Sequence, residues 1–239
     1  MYDHVFLVLF VLCAAFSLTS SFEKGKPTCD KYVQNVYLYA VSYMFLLAWV
    51  VAVLYKNPKL APQVGLLGLV LLLVLYIGTY FAIMFVPKEH YILKHMLALF
   101  YIGLSGFILY TIFDMFELES VTYASVSALV LFLVLTLFAF KFQNLISSKV
   151  STTFVIVFVV MAILELIIGL LYPFSVLEKI IVFAVLMFVC YLLLKQTKRI
   201  IEQGATCVQP DYVKESISLV MTFKNILIRL LEIKGRIRR

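Results

Sequence analysis

The sequence predicts an all-α integral membrane protein, and three observations carry that prediction. First, 64% of the 239 residues are hydrophobic and only 14% are charged, with a mean hydropathy of +1.06; a soluble domain sits nearer about 45–50% apolar and about 25% charged. Second, eight apolar segments follow one another along the chain, roughly 5–19, 34–55, 64–86, 91–113, 120–140, 152–172, 174–194 and 213–233. Most are close to the roughly 20 residues that a helix needs to cross hydrocarbon. Third, none alternates with period two, and a span in lipid must satisfy its backbone internally, so these segments are expected to be helices. The net charge of +7 comes from cations scattered through short loops. They read as topology signals and anchors rather than as a nucleic-acid surface.

In chain order, residues 1–21 are set apart from a multi-span body at 22–239. VFLVLFVLCAAFSLTSS has the apolar core and small residues of a secretory signal, but MYDH before it has no Lys or Arg. The cations Lys24, Lys26 and Lys31 follow instead, as in an uncleaved anchor whose N-terminus lies outside the cytosol; both readings stand. The later loops are KNPKLAP at 56–62, VPKEH at 86–90, FQNLISSK at 142–149, YPF at 172–174 and EQGATCVQPD at 202–211. If segment 34–55 enters from the cytosol, stretches 22–33, 87–90, 141–151 and 195–212 are cytosolic. They hold Lys24, Lys26, Lys31, Lys88, Lys141, Lys149, Lys195, Lys198 and Arg199, against Lys56, Lys59 and the acidic DMFELE opposite. That order obeys the positive-inside rule. It leaves one misfit, the basic tail KGRIRR, which ends outside if segment 213–233 crosses. Cys13 and Cys190 lie in apolar runs. Cys29 and Cys207 lie in loops, and a bond between them needs an oxidising compartment. A Cys29–Cys207 disulfide forms only if both loops face such a lumen, and two free thiols are the expectation.

The last segment differs from the rest. On a helical wheel Ser218, Asn225, Arg229, Glu232 and Arg236 fall within about 60° of Lys214, and Leu219, Phe223, Ile226, Leu227 and Leu230 cover the other side. Such a helix either lies in the interface or runs through a bundle with its stripe lining a polar cavity. Glu165 is the clearest charge at membrane depth, which makes it a candidate cation or proton site; the alternative is a protonated Glu bonded to a neighbouring helix. Lys94 and His95 are read as snorkelling near a helix end. The five-residue spacing of His90 and His95 does not make a metal pair. Trp49 and the tyrosines read as interfacial residues, and Gly65/Gly68 and Gly103/Gly106 as weak signals of close helix approach.

The order NPKLAP, LVLTLFAFKFQNLISSKV, YLLLKQTKRII and DYVKESISLVMTFKNILIRLLEIKGR resembles the transmembrane BAX inhibitor motif family over about residues 32–239. The resemblance implies a seven-helix bundle with its last helix central. Residues 1–21 are one extra N-terminal hydrophobic segment. It also implies calcium leak from the endoplasmic reticulum or Golgi and suppression of apoptosis. The leak would be gated by two carboxylates, one ending the sixth span and one in the last helix. Two close carboxylates share a proton, so such a pair senses pH. Aligned on that pattern, Lys195 takes the first position and Thr222 the second, and a third acidic position falls near Ser105. On that resemblance the chain would be a divergent member without the aspartate dyad. A lysine has donors only and cannot replace an oxygen ligand of Ca²⁺; Lys195 would pair with Glu165 or Glu232, or anchor by snorkelling.

The expected role is modulation of calcium homeostasis or cell death in an internal membrane (endoplasmic reticulum or Golgi, with the plasma membrane as an alternative). A non-conducting scaffold for membrane partners is the second reading, and an unrelated small transporter or viroporin the third. The ion-path candidates are Glu165, Lys195, Ser218, Thr222, Asn225 and Arg229. No nucleophile–base set or phosphate-binding loop is present in the sequence, so no enzyme is expected. Nor is any cofactor or resident metal expected, with Ca²⁺ only as a permeant ion. The expected partners are the lipid bilayer and membrane proteins of cell-death pathways, not nucleic acid.

Overall fold

A computed structural model describes residues 2–23, 26–58, 66–146, 160, 176–207 and 209–234. The predicted segment 152–172, with Glu165, lies outside the described residues apart from Val160, as does Gly65. The described helices are α1 (Tyr2–Ser21), α2 (Tyr32–Lys56), α3 (Leu66–Phe85), α4 (Tyr91–Asp114), α5 (Leu118–Lys141), α6 (Val176–Ala205) and α7 (Tyr212–Lys234). The chain is all-α, apart from a two-residue antiparallel pairing of Phe22–Glu23 with Lys26–Pro27. Five of the described helices (α1, α2, α4, α5 and α6) are long and apolar enough to cross a membrane.

The apolar runs locate the helices well, with one difference. The sixth described helix does not end at 194, where its charges begin, but continues to Ala205. Lys195, Lys198 and Arg199 are therefore helical and not in a loop. Lys and Arg propagate helix well, and Lys198 pairs with Glu202 one turn on, at 3.6 Å. Gly204 lies against Val33 and Tyr32 just before the helix stops.

The chain divides into two compact units. The first comprises Met1–Asp114 and Gln203–Val220, the second Met115–Glu202 and Met221–Arg239. In the first, α1 and α2 meet through polar groups. The Ser20 hydroxyl donates to Asn35 Oδ1 at 2.6 Å, and Ser21 and Tyr39 hydroxyls lie 2.9 Å apart. Asn35 in turn donates to the carbonyls of Ser20 and Asp30. Buried polar groups in a membrane protein need such partners, because lipid offers none. The α2–α4 contact is close at Gly106, where a Cβ would fall 2.5 Å from Val50 Cγ1. Gly103 meets nothing within 4 Å, so only one glycine of that pair serves close approach.

The tyrosines are not only interfacial. Tyr32, Tyr39, Tyr43, Tyr101 and Tyr212 are buried in the first unit. Tyr39 stacks on Tyr212 with centroids 5.8 Å apart, and Tyr76 on Tyr101 at 4.8 Å. The hydroxyls of Tyr32, Tyr39, Tyr101 and Tyr212 find internal partners, which permits the burial of a ring with a polar tip.

The last helix is no interfacial helix with a wet face. From Tyr212 to Leu231 no residue is exposed. Its fully buried residues include Ile217, Leu219, Ile226 and Leu231, together with the polar Glu215, Ser216, Thr222 and Lys224. This burial fits the bundle reading of the helix over the surface one.

Candidate functional site

The last helix carries a candidate site in each unit. In the second unit, Thr222 faces α6. Its hydroxyl donates to Gln196 Oε1 at 2.8 Å. Thr222 is 6% exposed, and Thr197 and Lys224 are also buried. On α5, Phe132 packs edge-on against Phe223, with centroids 5.7 Å apart. One turn along α5, the Thr136 hydroxyl is buried with no hydrogen-bond partner. The result is a buried, uncharged polar contact between two helices, with the buried Lys195 and Lys224 close by in sequence.

Lys195 is 8% exposed, with its Nζ 5.5 Å from the Tyr191 ring centroid. A cation over a tyrosine face is stabilised by the ring quadrupole. Its burial and its ring contact suit a structural cation. Glu232, one proposed partner of Lys195, accepts from Arg229 Nη1 at 2.8 Å along its own helix. The predicted stripe is divided: Ser218 belongs to the first unit, whereas Thr222, Asn225 and Arg229 belong to the second. Ser218 and Asn225 are half-buried, and Ser105 is buried in α4.

The residue that sequence alignment missed is Gln196. Thr222 bonds the side chain of Gln196, the residue after Lys195, so Gln196 joins Lys195 as a residue at the end of the sixth span that bears on the last helix. Nothing local in the sequence sets Gln196 apart, because an uncharged amide among cations gives no signal of its own. A Gln–Thr pair holds its contact through a neutral hydrogen bond and has no proton to exchange near neutrality.

In the first unit, the start of α7 is fastened to its neighbours. Lys94 is 2% exposed and its Nζ lies 2.6 Å from Asp211 Oδ2. Lys94 therefore does not snorkel; it forms a buried ion pair. Asp211 Oδ1 also accepts from the backbone N–H of Lys214 at 3.3 Å, which caps the helix. Tyr212 donates its hydroxyl to the Thr28 carbonyl. His95 faces the Tyr39 ring at 5.3 Å, and both its ring nitrogens are buried without a hydrogen-bond partner. Beside this end is a cavity of about 380 Å³ whose lining includes Lys88, Gln209, Asp211, Lys214 and Glu215. Cys29 and Cys207 are joined in a disulfide across 178 residues of sequence, which overturns the expectation of two free thiols. Among the described residues no group of three His, Cys, Asp or Glu is placed to hold a metal ion.

The family model described as inhibitor of apoptosis-promoting Bax1 matches residues 29–239. Neither a curated protein nor a solved structure is found to match the chain. The matched region takes in both units' share of the last helix and the Gln196–Thr222 contact, and the five long apolar helices make the chain a multi-pass membrane protein. On this evidence the chain belongs to the BAX inhibitor family.

Proposed function

We propose that this protein modulates calcium homeostasis or cell death from an internal membrane, without catalysis and without a resident cofactor, and that its central contact does not gate by protonation. Family membership supports the first part. The Thr222–Gln196 hydrogen bond carries the second. Where the resemblance implies two carboxylates sharing a proton, this chain has an amide and a hydroxyl, and neither titrates near pH 7. Any ion flux is then expected to be alike at pH 6 and pH 8. The endoplasmic reticulum or Golgi is the proposed location, and membrane proteins of cell-death pathways are the proposed partners.

The second reading, a non-conducting scaffold for such partners, is favoured by two buried lysines on the helices that make the contact, Lys195 and Lys224. Fixed cations on an ion path repel Ca²⁺.

The test is calcium flux from reconstituted liposomes at pH 6 and pH 8. The panel is the wild type, Glu165→Gln, Gln196→Asp and the double substitution Gln196→Asp/Thr222→Asp. Wild-type flux independent of pH supports the modulator reading, and its loss in Glu165→Gln assigns the acidic group. A silent wild type with a pH-dependent leak in the double variant supports a closed, non-conducting scaffold. Wild-type flux that changes steeply between the two pH values overturns the ungated contact.

A further inference from the structure

We propose that the end of the protein formed by residues 22–31, 86–90 and 206–211 faces an oxidising compartment, the reverse of the orientation that the loop cations predict. The observation that carries this is the Cys29–Cys207 disulfide. Such a bond persists in a secretory lumen or outside the cell, and reducing thiols keep it open in the cytosol. The third loop is at the same end, since Lys88 Nζ donates to the Gln209 carbonyl at 3.3 Å. Tyr212 bonds the Thr28 carbonyl. Three loops of the first unit therefore share one side, and the disulfide says which.

The charge argument for the opposite side weakens on the structure. Lys88 is held on a backbone carbonyl. Lys198 Nζ donates to the Ile146 carbonyl at 2.5 Å and faces Glu202. Lys195 is buried over Tyr191. These cations have internal structural work, which accounts for their positions without a cytosolic headgroup layer. Counting the crossings of α2, α3 and α4 then puts Lys56 and Asp114 on the cytosolic side. The basic tail KGRIRR, outside the described residues, also returns to the cytosol if α7 crosses, and the one misfit in the charge order disappears. The reversed side suits a first segment that delivers residue 22 out of the cytosol, as a secretory signal or a signal-anchor with a cytosolic N-terminus does. It excludes the anchor with its N-terminus outside. The inference is independent of whether the chain conducts ions.

The experiment uses the full chain inserted into microsomes. The sequence has no Asn-x-Ser/Thr acceptor of its own, so a long Gly/Ser insert bearing one such acceptor reports sidedness. One version carries it after Lys24 and the other after Glu117, and both keep every cation. A glycan on the Lys24 insert alone is the expected result. A glycan on the Glu117 insert alone overturns the proposal. The unaltered chain supplies a second readout that needs no insert. Alkylation under denaturing conditions is expected to tag only Cys13 and Cys190 before reduction, and all four cysteines after it. Four tags before reduction also overturn it.

Discussion

The two units hold their helices together by different means. The first ties the start of α7 to α2, α4 and the preceding loop with a covalent bond, a buried ion pair, a capping carboxylate and stacked tyrosines. The second meets the rest of α7 through contacts that include a neutral hydrogen bond, an edge-on aromatic pair and apolar side chains. The contrast follows one helix from an end fastened by covalent and charged contacts to a stretch whose described contact with α6 is a neutral hydrogen bond.

Substitutions can break or sharpen that contrast. The largest loss is expected from Lys94→Met, which strands the Asp211 carboxylate in a buried site and costs about 3–5 kcal/mol. Thermal unfolding in detergent would show this as a lower midpoint, and Asp211→Asn added to the same chain should restore much of it. Cys29→Ser comes next, at about 2–4 kcal/mol. Reducing the wild type should reproduce that loss, whereas reductant should leave the variant's midpoint where it was. Gly106→Ala drives a methyl into Val50 and is expected to cost about 1–3 kcal/mol. Its control is Gly103→Ala, with open space around it and no measurable change in midpoint. The smallest effect belongs to the second unit: Thr222→Val removes the bond to Gln196 and costs about 1 kcal/mol, and Thr222→Ser should keep it. A Thr222→Val loss equal to that of Lys94→Met would show that the second unit is no looser than the first.

The helices were legible in the sequence because long apolar runs in lipid leave the backbone one solution. Their ends were less so. Charge at Lys195 looked like the edge of a span, yet a helix stops where its propensity and packing stop, and here that is past Gly204. The buried tyrosines were not legible either, since a ring suited to the interface is equally suited to an interior with a hydroxyl acceptor. The Lys94–Asp211 pair joins residues 117 apart, and no local pattern announces such a partner. The cysteine pairing was open in the sequence but depended on the compartment, which composition does not give, and proximity in the fold decided it. Gln196 was not legible, because an amide between cations carries no local sign of the threonine that bonds it from another helix.

The length of α6 has a consequence for how that disulfide can form. Its charge-free run, Ile180–Leu194, rises about 22 Å, and the turns from Lys195 to Ala205 add about 16 Å more. All 30 residues together rise about 45 Å, against a hydrocarbon thickness of about 30 Å. A tilt of about 20°, the usual value for spans, shortens the projection by only about 3 Å. The helix is therefore about 12 Å longer than the hydrocarbon, and with that excess on its charged Ala205 side, Cys207, two residues on, would lie in the watery layer. A soluble thiol oxidase could reach the sulfur there without entering the bilayer.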